Sequence, residues 1–476
     1  MVYLFLICSA LLALSLFLNK NRVANYVLVS VYGILLVTFG IYEFIKSDTS
    51  QSLFFKADSL GVLLLSALCV IALPVLFHSY RYIELNKDKE TPHSRGMYFG
   101  ALLILMSASG AAYLSNHIAV TWILIEITTL SASLLIYHHR SVKALEGTWK
   151  YVFICAISIT LVYVGILFLS LAMKQAGIDD MSYDSLIRNY NLLNPFWLKL
   201  AFLFIFTGFT AKLGLVPMYT AGIDAKDKAP GPVSAVLASA LMNVGFVSVY
   251  RTYAVIAHTP YRGWANGVII IAAILTVFVA AVYMTRVKNI KRLFAYSGIE
   301  HMGVVMLGLA AGGIGIYASI LHILLHTLIK PALFLQYNQI YRVYGSKSIY
   351  DLGNYFKYNK TGALLILLAF FSVTAMPPSA LFVSEFMIFQ SLFESHHLFL
   401  MIILLVLLTV IIWGFATNVF RLLFIPPVSF DDTSVPKISP WESLLQYILI
   451  IISVYFAYNT PGRFVDMIEQ AVRIIN

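Results

Sequence analysis

The stretch that decides the fold of this chain runs from Thr210 to Phe246 and reads TAKLGLVPMYTAGIDAKDKAPGPVSAVLASALMNVGF. It places Lys212 inside an apolar run, and Pro217 follows in the next turns. An ammonium at the centre of a membrane helix costs about 2.5 to 3.5 kcal/mol on insertion scales. Proline also removes a backbone hydrogen bond that lipid cannot replace. The stretch therefore predicts an interrupted helix whose lysine faces packed protein or water.

The composition places this helix in a membrane. Apolar residues make up 60% of the 476 residues and charged residues only 11%, whereas a soluble domain has about 25% charged residues. The net charge of +10 comes mostly from short connections, where basic residues orient helices, so no nucleic-acid partner is predicted. At roughly 20 residues per span, we expect an all-α polytopic membrane protein with about fourteen transmembrane helices. The apolar segments lie near residues 1–18, 24–45, 57–78, 97–115, 117–138, 148–174, 194–221, 229–257, 264–285, 293–313, 315–343, 360–392, 397–425 and 440–459.

The distribution of basic residues predicts the orientation. Lys and Arg are concentrated in the connections that follow odd-numbered spans, such as those around Arg81 and Arg286. By the positive-inside rule these connections are cytoplasmic, so both termini of a cell (inner) membrane protein are predicted on the outer, periplasmic side. Lys20 and Arg22 follow the first apolar run, which favours a retained helix over a cleaved signal peptide. The polar insert 174–195 is predicted to be an external loop with an amphipathic turn or two.

Four ionisable residues lie deep in apolar context: Glu126, Lys212, Lys330 and Glu385. They could be structural ion pairs, or the lysines could extend to an interface. Intramembrane charges are nevertheless functional by default, because they are costly to insert. The sequence thus predicts an ion pathway.

Histidines add titratable groups to this pathway. His322, His326 and Lys330 are spaced four residues apart, which places them on one helix face. The spacing resembles a zinc helix, but Ile323 stands where a metalloprotease has its general base, and no third ligand is evident. Haem would need an axial ligand on a facing helix, and His301 is the only other clearly intramembrane histidine. Imidazole can accept and donate a proton, so the pattern favours a proton relay without metal or other cofactor.

Prolines mark two interrupted helices. Pro217 interrupts the seventh predicted span, and Pro377 with Pro378 interrupts the twelfth shortly before Glu385. Two broken helices five spans apart, each with a buried ionisable residue, are typical of inverted-repeat transporters. We therefore predict inverted five-helix repeats formed by spans four to eight and nine to thirteen. The predicted divisions are 1–96 (three helices), 97–257 (first repeat), 264–425 (second repeat) and 426–476 (C-terminal helix and tail).

Several motifs resemble a known family. WILIEITTLSA, the opening stretch, RVKNIKRLFAYSGIEHMGVVMLG, ILHILLHTLIKPALF and SALFVSEF occur in order between Trp122 and Phe386. They are similar to antiporter-like proton-translocating subunits of respiratory complex I, Mrp-type cation/proton antiporters and membrane-bound hydrogenases. Glu300 and His301, with Asn243 where other relatives usually have a second central lysine, resemble the hydrogenase-4 component F subgroup of formate hydrogenlyase-like complexes.

The resemblance implies roles for individual residues. Glu126 and Lys212 would form a charge pair in the first half-channel, with Glu385 as the exit group in the second broken helix. The middle would comprise His322, His326 and Lys330, and His301 could replace part of a relay weakened by Asn243. Secondary candidates are Asn243, Glu300 and Lys150.

The resemblance also implies partners. We expect no catalytic site in the chain itself, but membership of an oxidoreductase complex with other membrane subunits and a peripheral redox arm, moving protons or sodium ions. The alternatives are an Mrp-type antiporter or complex I subunit, a proton-coupled subunit of an inorganic-carbon uptake complex, and a structural membrane anchor.

Overall fold

The computed structural model describes residues 1–47, 49–88, 90–427, 430 and 435–476, so Lys89 of a basic connection lies outside the described residues. Its regular secondary structure is helical. The first helices are α1 (Val2–Leu18), α2 (Arg22–Ile45), α3 (Ser59–Leu85), α4 (Pro92–Tyr113), α5 (Ile118–Ile136), α6 (Val142–Gln175), α7 (Tyr183–Arg188), α8 (Pro195–Leu213), α9 (Thr220–Lys228), α10 (Gly231–Leu237) and α11 (Ala240–Ala257). They are followed by α12 (Arg262–Met284), α13 (Ile290–Ala311), α14 (Ile314–Tyr344), α15 (Tyr355–Tyr358), α16 (Lys360–Val373), α17 (Ala380–Glu394), α18 (Leu398–Phe424), α19 (Leu444–Tyr458) and α20 (Gly462–Arg473).

The membrane prediction is confirmed at the level of the whole chain. In the described residues, 12 helical segments are long and apolar enough to cross a membrane, with α10 and α11 counted together. The helices α1 and α16 are apolar but shorter. The predicted count of about fourteen spans, the inverted repeats and the domain boundaries stay predictions.

Both predicted interruptions are present. Helix α8 ends at Leu213, Gly214 adopts a left-handed conformation with φ of +87°, and α9 begins only at Thr220. In the second case α16 ends at Val373, and the segment 374–379 with its two prolines leads into α17. A third interruption, at 238–239 between α10 and α11, contains no proline, so the proline pattern did not predict it.

The helices α11, α13 and α14, together with the short α10, form much of the interior of the molecule. Nearly every side chain of these helices is buried, whereas most residues of α18 face outward and are apolar. Helix α8 packs against α6 and α11, and α14 packs against α13 and α17. Both broken helices therefore pack against the buried interior. The apolar outer surface of α18 is typical of a helix that faces lipid.

The C-terminal tail forms a helix that the sequence did not predict. Helix α20 buries Ile468 on one face, and its backbone accepts hydrogen bonds from the interior. Tyr250 Oη donates to Ala471 O at 2.8 Å, and His258 Nε2 lies 3.0 Å from Ile474 O.

Candidate proton-transfer site

Lys212 lies in the last turn of α8 and is buried. Its Nζ donates to Thr129 Oγ1 at 2.7 Å and to Tyr151 Oη at 3.0 Å, and Cys155 Sγ lies 3.7 Å away. These acceptors come from α5 and α6. The ammonium is therefore held by neutral groups from two neighbouring helices.

Glu126 does not form the predicted direct pair with Lys212 in the described structure. It lies three residues before Thr129 on α5, is half-buried, and its Oε2 has no hydrogen-bond partner among the described residues. The carboxylate is within electrostatic range of Tyr151 and Cys155, both of which contact Lys212. The two charges thus face the same small region without touching.

The break after Lys212 is stabilised by close contacts. Val216 N donates to Thr276 Oγ1 of α12 at 2.9 Å, so a backbone group freed by the break has a partner. A Cβ on Gly245 of α11 would lie 2.4 Å from Leu213 N, so only glycine permits this approach. The end of α8 is consequently pressed against α11 next to Asn243.

Five titratable side chains of α13, α14 and α17 form a buried group that we call the histidine cluster: Glu300, His301, His322, His326 and Glu385. His301 Nδ1 lies 3.2 Å from His322 Nε2 and 3.5 Å from Glu385 Oε1. Its Nε2 lies 3.6 Å from Glu300 Oε2. The rings of His301 and His326 are 5.4 Å apart between centroids. His301 is therefore the centre of the cluster, a position that the sequence did not assign to it.

Other contacts orient this cluster. Ser384 Oγ lies 3.0 Å from His322 Nδ1, and neither nitrogen of His326 has a hydrogen-bond partner in the described residues. The neighbouring Lys330 is fully buried, and its Nζ donates to Ser297 Oγ at 2.6 Å. Lys330 and Glu300 are within electrostatic range of each other.

Three members of the cluster could hold a metal ion by distance alone. One ligand atom each of His301, His322 and Glu385 lie within 4.8 Å of one another. This set differs from the His322–His326 spacing that resembled a zinc helix. Both nitrogens of His322 have partners within the protein, His301 Nδ1 and Ser384 Oγ, whereas His301 Nε2 has no hydrogen-bond partner in the described residues.

Asn243 forms a neutral link between the two halves. Its Nδ2 donates to Thr327 Oγ1 of α14 at 2.8 Å, and its Oδ1 lies 3.0 Å from the same hydroxyl. Both side chains are fully buried. Asn243 cannot itself take up a proton at ordinary pH, so a relay through this region needs another group.

The structure supplies such a group in Lys226, which the sequence assigned to an aqueous connection. Lys226 is 2% exposed, and its Nζ lies 3.2 Å from Met242 Sδ. The Lys226 nitrogen lies close to Gly298 of α13, since a Cβ built on this glycine would be 3.9 Å away. The adjacent residue, Ser297, binds Lys330. The sequence signal that could have revealed Lys226 is its place shortly after the proline break. It belongs to the short helix α9, which folds back into the interior.

Two other basic residues also correct the sequence analysis. In the sequence, Arg251 falls near the end of the predicted span 229–257, but in the structure it lies within α11, is buried, and pairs with Asp58 at 2.9 Å. Lys150 is exposed on α6 and pairs only with Glu146 one turn away, at 2.5 Å. Lys150 is therefore separate from the buried residues.

Residues 115–411 match the family described as NADH:quinone oxidoreductase/Mrp antiporter, transmembrane. The chain belongs to this family. The resemblance inferred from the motifs is thereby confirmed. The chain is an antiporter-like membrane subunit of the complex I, Mrp and hydrogenase type.

Individual members of the NADH:quinone oxidoreductase/Mrp antiporter family show the breadth of the match. The chain is 27% identical to the hydrogenase-4 component F homolog of Methylacidiphilum infernorum (isolate V4) over 387 residues, 80% of this chain and 81% of that protein. It is 28% identical over 403 residues, 79% of its length, to the Na(+)/H(+) antiporter subunit A1 of Staphylococcus epidermidis (strain ATCC 35984 / DSM 28319 / BCRC 17069 / CCUG 31568 / BM 3577 / RP62A), of which it spans 49%.

A solved structure extends the likeness in fold to the entire chain. A chain of the membrane-bound sulfane sulfur reductase, described as an archaeal respiratory membrane complex, aligns with a TM-score of 0.87 at 18% identity, covering 100% of this chain and 97% of that one. At this identity the comparison shows the fold alone.

Proposed function

We propose that this chain is the proton-translocating membrane subunit of a multi-subunit energy-converting complex of the hydrogenase-4 or formate hydrogenlyase-like kind. The supporting observation is the set of buried ionisable side chains on both broken helices and on α13 and α14: Lys212, Lys226, Lys330, the histidine cluster and, within it, Glu385. Intramembrane ionisable residues are costly and typically mark ion pathways. The hydrogenase-4 component F homolog as a relative favours this complex over the others.

In the first half, Glu126 controls the charge of Lys212. Burial disfavours the ammonium, and a nearby carboxylate favours it. When the Glu126 side chain turns towards Lys212, the lysine holds its proton; when it turns away, as in this structure, the neutral groups of Thr129, Tyr151 and Cys155 surround the ammonium. The proton then passes towards Lys226 in the centre.

In the second half, Lys330 exchanges the proton with the histidine cluster. Neutral imidazole can accept at one nitrogen and donate from the other, so His301 can connect its neighbours in either direction. Glu385 contacts His301 and follows the proline-containing break, where the freed backbone groups favour hydration. It is the group that releases the proton to an aqueous half-channel.

The interaction energies are large enough for this control. Moving one charge across the membrane costs about 2.3 kcal/mol per 100 mV. Two unit charges 4 Å apart interact with about 4 kcal/mol at an effective dielectric constant of 20. Opening or closing the Glu126–Lys212 pair therefore outweighs a potential of about 100 mV.

The energy for directed transport comes from partners. These comprise other membrane subunits and a peripheral redox arm, and both termini of our chain lie on the outer side of the inner membrane. A second candidate is an Mrp-type cation/proton antiporter subunit, favoured by the identity with the Na(+)/H(+) antiporter subunit A1.

Purification of the intact complex distinguishes these candidates. We expect a hydrogenase large subunit to co-purify, and proton uptake by proteoliposomes to depend on the redox substrate and not on sodium. Sodium-driven proton movement without a redox subunit would favour the Mrp candidate. Co-purification of an inorganic-carbon uptake partner, or a complex whose substrate turnover moves no ions, would contradict the proposal.

A further inference from the structure

A large cavity opens at the face of the molecule where the basic connections meet. Its volume is about 930 Å³, and it is enclosed by the ends of α3 and α14, the starts of α6 and α13, and the junction of α9 with α10. We call it the basic cavity. It is separate from the histidine cluster and takes part in no step of the proposed proton transfer.

Four cations of the basic cavity share two carboxylates. Arg81 and Arg342 bind the same carboxylate, Glu442, at 3.0 Å and 2.6 Å. Lys228 and Lys347 are paired with a second carboxylate, described next. Each carboxylate carries a single negative charge, so it cannot neutralise both of the cavity cations that contact it.

The second carboxylate, Asp227, lies immediately behind the cavity wall. Its oxygens are 2.8 Å from Lys228 Nζ and 3.6 Å from Lys347 Nζ, and Arg292 approaches from outside at 3.4 Å. Lys347 illustrates the crowding of positive charge. Burial lowers the pKa of Lys347 first, and Lys228 and Arg292 lower it further, so that Asp227 does not restore its ordinary value.

Three more lysines line the cavity without any carboxylate partner in the described residues. Lys291 is buried, donates to the carbonyl oxygen of Asp227, and lies 4.8 Å from the centre of the Tyr337 ring. Lys143 and Lys288 are exposed. The cavity wall thus has seven cations, and Glu442 with Asp227 leaves a formal excess of five positive charges.

The rim of the basic cavity combines this charge with apolar groups. Leu85 and Tyr341 line it and remain 48% and 46% exposed. Tyrosine is enriched at the level of lipid head groups, and basic pockets between transmembrane helices bind lipid head groups. A free anion would need only the positive charge of the cavity, whereas a lipid would contact both the basic residues and the apolar groups of the rim.

We propose that the basic cavity is a binding site for the phosphodiester head group of an anionic membrane lipid. Lys143 and Lys288 contact the phosphate at the mouth, and the cations deeper in the cavity attract it. The bound head group would bridge α3, α6, α13 and α14. It would thereby stabilise the packing of the first half of the chain against the second, without itself moving protons.

The test uses native mass spectrometry of the full chain, purified and delipidated in detergent. Phosphatidylglycerol, a phosphodiester with net negative charge, is compared with zwitterionic phosphatidylcholine of the same acyl chains. The variant is Lys143→Gln/Lys288→Gln, and the control is Lys20→Gln/Lys360→Gln, which removes the same charge from exposed lysines outside the cavity. Thermal unfolding of both variants shows that they fold.

We expect phosphatidylglycerol to bind the unmodified chain and the control equally. The Lys143→Gln/Lys288→Gln variant should bind about thirtyfold more weakly, since each lysine near an anionic lipid contributes about fivefold. Equal retention by the two variants, or equal binding of the two lipids, would overturn the proposal. Glycerol 1-phosphate and inorganic phosphate are added in a separate experiment as competitors of the bound lipid. Displacement of the lipid by millimolar inorganic phosphate would assign the site to free phosphate and overturn the lipid assignment.

Discussion

Lys226 and Met242 meet at the centre of the molecule, where the lysine nitrogen lies 3.2 Å from the methionine sulfur. A thioether is a weak hydrogen-bond acceptor, and in the described residues it is the only acceptor that this buried nitrogen has. An ammonium needs stronger partners when it is removed from water. Lys226 is therefore suited to give up its proton. It contacts the residue next to Asn243, whose neutral amide cannot transfer a proton itself.

Lys226→Met tests this relationship. We expect normal assembly, because the substitution keeps the length and apolar body of the side chain, and roughly a hundredfold loss of proton pumping in the reconstituted complex, as for loss of a proton-transfer group. Lys226→His should retain part of the activity. In addition, Asn243→Lys should restore part of it in the Lys226→Met background. Unchanged pumping by Lys226→Met would remove this residue from the pathway.

Replacement of Lys212 by Met removes the titratable group of the first half. The complex should assemble, since Thr129 and Tyr151 can bond elsewhere, but proton translocation should be lost. Pumping is measured with a pH-sensitive dye in proteoliposomes. Lys150→Met is the matched control and should behave like the unmodified complex, because Lys150 is exposed. Normal pumping by Lys212→Met would contradict the proposed role.

Glu385 should respond differently to two conservative changes. Glu385→Gln keeps the shape beside His301 but cannot release a proton, so we expect an assembled complex with strongly reduced pumping. Glu385→Asp keeps the acid on a shorter side chain and should retain part of the activity. Equal loss in both variants, together with poor assembly, would indicate that Glu385 serves helix packing.

The orientation can be tested by cysteine labelling in intact cells. His93, at the start of α4, is exposed in a basic connection, and Leu53 is 79% exposed in a connection of the opposite kind. An impermeant maleimide should label Leu53→Cys from outside and His93→Cys only after permeabilisation. The unmodified chain gives the background from its native cysteines. The reverse pattern would invert the assigned entry and exit of the proton.

The sequence identified several of the buried charges because a lysine or glutamate inside an apolar run is a local signal. Lys212, Lys330 and Glu385 are of this kind. Lys226 was missed because the polar run AGIDAKDKAP has the composition of an aqueous loop, and hydropathy does not report that a broken helix folds back into the interior. Local composition therefore cannot distinguish a connection from a polar segment buried in protein.

Contacts between distant helices were also beyond the sequence. No spacing predicts that His301 of α13 lies between His322 and Glu385, since three separate helices must pack to bring them together. The predicted Glu126–Lys212 pair required that two helices present these side chains to each other, and the sequence does not give the rotation of a helix about its own axis. In the structure Thr129, one turn further along α5, occupies the place at the ammonium.

The bond between Asn243 and Thr327 has a mechanical consequence. Neither side chain changes its charge when a proton passes, so this attachment of α11 to α14 has the same strength at every stage of transport. In the proposed mechanism its neighbours Lys226 and Lys330 would gain and lose charge, and their mutual repulsion would vary accordingly. In that mechanism the changing forces would act on the two lysine side chains, while the uncharged bond between Asn243 and Thr327 would continue to attach α11 to α14.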